Sequence, residues 1–458
     1  MKRTVGTTTM LIGLGAVVLA GCGSSKSSSS SPGATPAATT GAAASGSASA
    51  GPSDTSSPSA ASTSKAVDKT AVTGAGKSDG KLTVGDLLPQ TGSLATLGPP
   101  EFAGVGLAIK EINAAGGVLG KPVTEIPGDS GDATTDIATQ TVNRELAAGA
   151  DVIVGAASSA VSLTVIDKIT NSGVIEFSPA NTSTKFTTYP DKGLYFRTAP
   201  SDLLQGGVVG NVVVGDGHSK VAILALQDPY GTGLADQAEK AITGSGGQVV
   251  SKIIYDPNAA SYDDVVGQTK AKNPDSILLI GFDESKKVIQ SLVSAGIGPS
   301  KVPLYGVDGN ISNTLGDGLP PGTLNGVKGT TPLTKLSSDF QAKLKSVDPK
   351  LRDFNYAGES YDAVTITALA TEIAKTDLPT AVAKQISGVT KVGTPCMSFA
   401  TCDKLVKAGT DIAYVGVAGA LKLDDAGDPT SASYGVLTIG PDNKIVDSKT
   451  TYVTAGAQ

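Results

Sequence analysis

Strand-like and helix-like segments alternate along most of this chain, and this alternation restricts the fold more than any other feature of the sequence. Short apolar runs have the length and β-branched content of buried strands. They lie at Leu82–Leu88, Asp151–Ala157, Gly173–Ser178, Val221–Leu226, Ser276–Gly281 and Pro303–Val307. Repeated strand–helix units predict parallel sheets that are covered on both faces. Residues 81–458 are too many for one hydrophobic core, so we expect an α/β protein with two doubly wound parallel-sheet lobes.

Helical spacing is clearest in two of the segments between these runs. The apolar stripes are Phe102, Val105, Ile109 and Ile112 before Gly116-Gly117, and Val161, Val165 and Ile169 before Gly173. Between them, Asp132 is expected to cap a helix that runs through Ala148 and is closed by Gly149.

The N-terminus has the layout of an export signal. Lys2 and Arg3 precede an apolar run, Met10–Leu19, that is too short to span a bilayer as a mature helix. The sequence Leu19-Ala-Gly-Cys22 resembles the bacterial lipobox. That resemblance implies a signal peptide over residues 1–21, acylation of Cys22 and attachment to the extracytoplasmic face of the cell membrane. The alternative is a secretory signal with an incidental cysteine.

Residues 22–80 consist almost entirely of Ser, Ala, Thr, Gly and Pro. A segment with so few large apolar residues cannot offset its ordering entropy, so we expect a disordered tether. A flexible coil of this length would reach roughly 40 Å. The tether would therefore let a folded domain move above a membrane.

Charge and cysteine content exclude several classes of protein. The formal net charge of −6 argues against a nucleic-acid partner, which normally requires a basic face. Cys396 and Cys402 are separated by five residues, and in an exported protein such a pair is predicted to form a disulfide. The alternative is a metal site, but the sequence has a single histidine, His218, far from both. We therefore expect no metal.

Polar residues follow several of the predicted strands, where doubly wound sheets bind ligands. Ser158 and Ser159 open a helix, where hydroxyls and free backbone N–H groups can hold a carboxylate. An acid from another strand end, Asp308, could hold an ammonium group, and Tyr230 and Phe282 could supply an apolar wall. Taken singly, each is also explained as an ordinary helix cap, turn or core residue.

Several motifs in these positions resemble periplasmic binding proteins of the branched-chain amino acid type. They are Leu88–Ser93, Phe102–Gly117, Val154–Ser159, Ser178–Thr182, Asp228–Gly233, Tyr361–Ala363 and Gly416–Asp428. The resemblance extends from Lys81 to the C-terminus and implies a type I fold whose lobes are joined by three crossing segments. We expect these near Pro200, near Thr331 and between Asp411 and Gly419. Lobe I would then contain residues 81–200 and 332–412, and lobe II residues 201–331 and 413–458.

The same resemblance implies a role for individual residues. Ser159 and its backbone would bind a ligand carboxylate together with Ser158, and Thr182 would contribute its hydroxyl. The carbonyl of Ala180, beside Asn181, would accept from a ligand ammonium that Asp308 also binds, and Tyr230 would close from lobe II. The chain departs from the family at three positions: Leu97 stands where several members have a large aromatic, Phe282 replaces a frequent Tyr, and Asp308 is shorter than Glu.

The resemblance implies a solute-binding lipoprotein that delivers an amino acid to the permease and ATPase of an ABC transporter, and we expect it to be a monomer. Relatives bind amides, urea or aromatic acids on the same fold, so these remain alternative ligands. A ligand-sensing surface lipoprotein and a structural surface protein with an empty cleft are alternative functions.

Catalysis is not expected, and neither is a cofactor. The segment Gly116–Pro122 departs from a phosphate-binding loop in its glycine spacing and has Pro where Ser or Thr is needed. Gly104-Val-Gly106 lacks the third glycine of a dinucleotide motif and lies inside a helical stripe. The sequence has no G-x-S-x-G motif, and His218 has no partner motif.

Overall fold

The computed structural model describes residues 77–419 and 421–456. The predicted signal peptide, Cys22 and most of the predicted tether lie outside these ranges. Within them, no helix combines the length and the apolar character needed to cross a membrane.

The first lobe is built on a five-stranded sheet with the order β2-β1-β3-β4-β5, and every neighbouring pair is parallel. Its strands are β1 Thr83–Leu87, β2 Thr124–Ile126, β3 Val152–Gly155, β4 Ile175–Ser178 and β5 Tyr195–Arg197. The helices between them are α1 Gly98–Ala114, α2 Ile137–Ala147 and α3 Ser159–Asn171. The strands β1, β3 and β4 are fully buried, as expected for a parallel sheet with both faces covered.

The second lobe is built on a seven-stranded sheet with the order β14-β13-β10-β9-β8-β6-β7. Its strands are β6 Lys220–Leu226, β7 Gln248–Tyr255, β8 Ser276–Ile280, β9 Leu304–Val307, β10 Lys328–Pro332, β13 Ser431–Thr438 and β14 Thr451–Gly456. Its helices are α4 Asp202–Gly215, α5 Pro229–Gly244, α6 Asp263–Ala271 and α7 Ser285–Ser294. The β10–β13 and β13–β14 pairs are antiparallel, so the sheet is mixed rather than wholly parallel.

Four further helices and a two-stranded ribbon complete the first lobe. They are α8 Ser338–Val347, α9 Ala357–Ala374, α10 Pro379–Val389, β11 Thr394–Cys396, α11 Phe399–Lys407 and β12 Ile412–Tyr414. A disulfide joins Cys396 to Cys402 and so ties β11 to α11. Helix α9 is buried along almost its whole length and packs closely on α1, since a Cβ at Gly104 would lie 2.3 Å from the Ala357 carbonyl oxygen.

The described chain begins with a turn that is fastened to the first lobe by one carboxylate. Asp377, in the connection between α9 and α10, accepts hydrogen bonds from the backbone N–H groups of Asp79, Gly80 and Lys81. It also accepts one from the hydroxyl of Ser78. These bonds fix the start of the folded part on the first lobe.

The helix boundaries agree with the sequence in part. Helix α1 covers the predicted stripe, and Ser158 caps α3 by accepting from the Val161 N–H at 3.4 Å. The helix expected to start at Asp132 begins instead at Ile137. The Asp132 carboxylate accepts from the N–H and hydroxyl of Thr134, which makes a local turn before the helix.

The chain passes between the lobes three times, and the third passage differs from the sequence prediction. The first two passages follow β5 and β10, close to the predicted positions. The third was expected between Asp411 and Gly419, but Leu421 and Leu423 still pack in the core of the first lobe. The chain reaches the second sheet only at Ser431, because residues 424–428 are held to the first lobe by the ion pair described next.

Arg197, at the end of β5, is fully buried and forms a bidentate ion pair with Asp428. Both N–O distances are 2.7 Å. The guanidinium also donates to the carbonyl oxygens of Asn181 and Ser183 and to the Thr187 hydroxyl. This one side chain therefore joins the first passage, the third passage and the loop that follows β4.

Loss of this ion pair is expected to destabilise the fold strongly. Arg197→Met leaves Asp428 buried without its cation, which should lower the free energy of unfolding by about 3–5 kcal/mol in urea denaturation. The control is Arg352→Met, which removes a pair with Asp317 whose side chains are 47% and 45% exposed. That change should cost less than about 1 kcal/mol. Equal losses in the two variants would contradict this interpretation.

Buried carboxyl groups predict that stability falls as pH rises. Burial raises the pKa values of Glu145, Asp151 and Glu359 to about 8, although Arg144 acts in the opposite direction on Glu145. Unfolded carboxyls titrate near about 4. A raised pKa contributes stability that is complete below the unfolded value and is lost as pH rises through the folded one.

The melting temperature should therefore decrease between about pH 4 and about pH 8. Glu145→Gln should flatten this decrease, whereas Glu239→Gln, on the surface of α5, should leave it unchanged. Calorimetric melting at several pH values measures both effects. A melting temperature that stays constant or rises over this interval would count against the argument.

Candidate functional site

A small cavity lies between the lobes at the carboxyl ends of their strands. It brings together eight of the nine predicted ligand-binding residues, and Asn181 is the exception. They are Leu97, Ser158, Ser159, Ala180, Thr182, Tyr230, Phe282 and Asp308. Leu94, Ala157, Gly309 and Tyr356 complete its wall.

The first-lobe wall is a pair of loops that hold each other in place. The Ser178 hydroxyl donates to the Ala156 carbonyl at 2.7 Å and accepts from the N–H groups of Ala180 and Asn181. The Asn181 amide donates to the carbonyls of Ala156 and Ala157 at 2.9 and 3.0 Å. Asn181 therefore fixes the loops from behind, which explains why it does not line the cavity.

These loops place small hydroxyls at the N-terminus of α3. Ser158 is the cap of that helix and Ser159 is its first residue, so both lie where the helix dipole favours negative charge. The Thr182 hydroxyl also faces the cavity, and within the described structure it makes no contact that meets hydrogen-bond geometry. This side can hold a carboxylate.

The second-lobe wall is aromatic. Tyr230 is the second residue of α5. Asp228 caps this helix by accepting a hydrogen bond from the Gly231 N–H. The Tyr230 ring stacks on Phe282, with the ring centroids 5.4 Å apart and the planes 9° from parallel. Tyr230 and Phe282 therefore form a flat apolar surface.

Asp308 follows β9 and is a buried acid in the second-lobe wall of the cavity, whereas the α3 hydroxyls belong to the first-lobe wall. It accepts hydrogen bonds from the Gln205 amide at 2.6 Å, the Tyr230 hydroxyl at 2.8 Å and the Tyr356 hydroxyl at 2.7 Å. Burial raises the pKa of Asp308, and these three donors oppose the shift. Asp308 is thus the acceptor that links two elements of the second lobe, α4 and α5, to Tyr356 of the first lobe.

Tyr356 was not expected from the sequence. It precedes α9 with φ +61°, a left-handed conformation that places its hydroxyl on Asp308 from the first lobe. The only sequence signal was its position before the Tyr361-Asp362-Ala363 motif. Gln205, on α4, was also missed, because its apolar helical surroundings give no sign of a polar contact.

The cavity is narrow in this conformation. Its empty volume is about 250 Å³, but the centre of a water-sized sphere can occupy only about 10 Å³ of it. That is room for about one water. An amino acid or any larger solute can enter only if the lobes move apart.

The residues that line the cavity suit the binding of a small polar solute. Hydroxyls and a helix N-terminus face an acid across apolar and aromatic surface. Throughout the described ranges, no group of three or more His, Cys, Asp or Glu side chains is placed to hold a metal ion.

Comparison with known proteins gives the same fold. A "Leu/Ile/Val-binding protein homolog 1" of Brucella suis is 27% identical over 311 residues, which cover 66% of this chain and 81% of that protein. Leucine binding protein LivK of Thermotoga maritima superimposes with a TM-score of 0.66 at 18% identity, over 82% of this chain and 99% of that one.

Two other solved structures differ in their bound ligands. LivJ of Streptococcus pneumoniae, in complex with isoleucine, has a TM-score of 0.67 at 20% identity and covers 82% of this chain and 99% of its own. A solute-binding protein of R. palustris, in complex with benzoate, has a TM-score of 0.64 at 18% identity. The match covers 80% of this chain and 95% of that one.

The family model described as "Periplasmic binding protein" matches residues 81–419. Together with the two sheets and three passages of the structure, this confirms the family and the two-lobed α/β fold that the sequence resemblance implied. The chain belongs to the periplasmic binding protein family and has its type I fold.

Proposed function

We propose that this protein is a lipid-anchored solute-binding protein that captures an amino acid of the branched-chain type, or a close analogue, and delivers it to an ABC importer. The family supports substrate binding outside the cytoplasm rather than catalysis. The names of the Brucella relatives and the isoleucine-bound neighbour favour an amino acid.

The observation that carries this proposal is the polarity of the interlobe cavity. Ser158 and Ser159 lie at a helix N-terminus on one side, and the buried acid Asp308 lies on the other. A zwitterion has matching charges, so its carboxylate would bind the hydroxyls and backbone N–H groups of α3. Its ammonium would lie toward Thr182 and Asp308, with its side chain against Leu97 and Phe282.

The magnitudes agree with reversible capture. A hydrogen bond to a charged group contributes about 1.5–3 kcal/mol net. Burial of an aliphatic side chain adds about 1.5–3 kcal/mol. After the cost of association, three or four such bonds suffice for a micromolar complex, which corresponds to about −8 kcal/mol.

Capture requires the two lobes to open and close. The narrow cavity has room for about one water, so a solute must enter an open conformation and be enclosed as the lobes rotate about the three passages. A ligand that touches both lobes stabilises the closed conformation and so shifts the population. A membrane transporter can recognise that shift.

An aromatic acid is the second candidate ligand. The parallel stack of Tyr230 on Phe282 offers a flat surface to a ring, and a structural neighbour is in complex with benzoate. Asp308 already accepts three hydrogen bonds from the protein. The site therefore does not depend on a ligand ammonium to satisfy that acid.

The anchor is proposed on the N-terminal sequence. Acylation of Cys22 would hold the chain at the membrane, and the Ser- and Ala-rich segment after it would let the folded part reorient toward the permease. We also propose that the protein delivers its ligand to the transporter as a monomer.

Binding should depend on the Thr182 hydroxyl. We expect leucine, isoleucine or valine to bind the purified protein with micromolar affinity by titration calorimetry, and Thr182→Val to weaken binding about tenfold, because one hydrogen bond to a charged group is lost. The matched control, Thr243→Val, changes an exposed threonine of α5 and should have no effect. Benzoate and the amides of the three amino acids are titrated in parallel. Heat from benzoate alone would favour the aromatic-acid candidate, and unchanged binding by Thr182→Val would place the ligand elsewhere.

Membrane association should depend on Cys22. In cells expressing the full-length protein, Cys22→Ser should move it from the membrane fraction to the soluble exported fraction, because the acylated sulfur is lost. Ser24→Ala, two residues away, serves as the control and should remain in the membrane fraction. Detergent phase partitioning followed by immunoblotting measures the distribution. Retention of Cys22→Ser at the membrane would exclude this anchor.

A further inference from the structure

A second acid lies directly behind the cavity, and the proposed binding scheme gives it no role. Asp202 is the first residue of α4, in the first passage between the lobes, and it is 0% exposed. Neither of its carboxylate oxygens has a well-formed hydrogen bond within the described structure. By contrast, the carboxylate of the nearby Asp308 accepts three hydrogen bonds.

Thr182 connects Asp202 to the cavity. The backbone N–H of Asp202 donates to the Thr182 carbonyl at 2.8 Å, so the two residues are in contact. The Thr182 hydroxyl lines the cavity, is buried, and likewise has no partner that meets hydrogen-bond geometry. The Thr182 hydroxyl lies close enough to the Asp202 carboxyl to lower the pKa of that carboxyl. A polar path thus leads from the cavity wall to the unpaired acid.

Among the described residues, the one cation whose charge acts on Asp202 is already paired with another acid. Five charged or titratable groups act on it from four other elements: Asp308 after β9, Arg197 on β5, Asp228 and Tyr230 at the start of α5, and Tyr434 on β13. Of these only Arg197 is positive, and it is bound bidentately to Asp428. Burial raises the pKa of Asp202, and Asp308 raises it further. An unpaired buried carboxylate is costly, so this group must hold a proton or face a cation.

We infer that Asp202, acting through the Thr182 hydroxyl, is the positioning residue that makes the cavity select ligands with a primary ammonium group. The inference rests on the proposed function and adds to it the chemical class that the site accepts. The Thr182 hydroxyl donates its hydrogen to the Asp202 carboxylate and accepts one from the ammonium. Asp202 releases its proton to solvent as the ammonium arrives, so one positive charge replaces another.

The role of Asp202 differs from that of Asp308. Three of the roughly four acceptor positions of the Asp308 carboxylate are taken by Gln205, Tyr230 and Tyr356. Asp308 therefore mainly orders the aromatic wall and the contact between the lobes. Apart from the Thr182 hydroxyl, no described side chain occupies the acceptor positions of Asp202, and Asp202 supplies the negative charge that a deaminated ligand would have no means to balance.

The test compares ligands that differ only in the ammonium. Leucine and 4-methylpentanoate are titrated into the full-length protein and into Asp202→Asn by calorimetry. The unmodified protein should prefer leucine at least tenfold, and Asp202→Asn should reduce that preference by about tenfold while binding 4-methylpentanoate as well or better. Asp202→Glu, which keeps the charge, should restore much of the preference. Asp216→Asn, at the other end of α4, is the matched control and should keep the original preference.

A second readout separates this role from a merely structural one. Titration of leucine in two buffers with different ionisation enthalpies counts the protons released on binding. Asp202→Asn should release about one proton fewer per ligand than the unmodified protein. In the absence of ligand, its melting temperature at about pH 8.5 should equal or exceed that of the unmodified protein, because a buried acid has been removed.

The outcomes distinguish this inference from the proposed function. If leucine binds tightly and Asp202→Asn keeps the full preference and proton release, the role of Asp202 is refuted and the solute-binding function stands. If 4-methylpentanoate binds the unmodified protein as tightly as leucine, the selection of ammonium is refuted. If no branched-chain amino acid binds, the proposed function fails, and this inference fails with it.

Discussion

The buried pair of Arg197 and Asp428 is the interaction on which the arrangement of the lobes depends. It holds the end of the first-lobe sheet to the segment that makes the third passage, and it fixes the carbonyls of Asn181 and Ser183 beside the binding cavity. Burial of a charge is favourable only when such partners are complete. One guanidinium therefore sets both the geometry of the connection between lobes and the position of Thr182.

The sequence predicted what depends on local periodicity. The apolar stripe that ends at Ile112 became α1, and the family motifs placed most cavity residues at strand ends, as the rule for doubly wound sheets requires. Predictions failed where a contact distant in sequence decides the structure. The third passage follows the pairing of Arg197 with a residue 231 positions later, and no local pattern records that pairing. The antiparallel strand β13 is a further case, since strand direction is not encoded in composition.

The residues of the candidate site also divide into those that have a local sequence signal and those that are placed by contacts distant in sequence. Ser158 and Ser159 were identifiable because hydroxyls at a helix start have a known chemistry. Tyr356 and Gln205 were not, since each reaches Asp308 from another element, with sequence separations of 48 and 103 residues. Asn181 shows the opposite error. Its residue type and position suggested a ligand contact, yet its side-chain amide donates both of its hydrogens to backbone carbonyls on the side of the loops that faces away from the cavity.

The clamp around Asp377 has a mechanical consequence. Three consecutive backbone N–H groups at the start of the described chain converge on that carboxylate, which belongs to the first lobe. A load applied at the N-terminal end would therefore reach the α9–α10 connection of the first lobe directly. If the protein acts as proposed, a pull on its N-terminal segment would thus act on one lobe and would not by itself favour the open or the closed form.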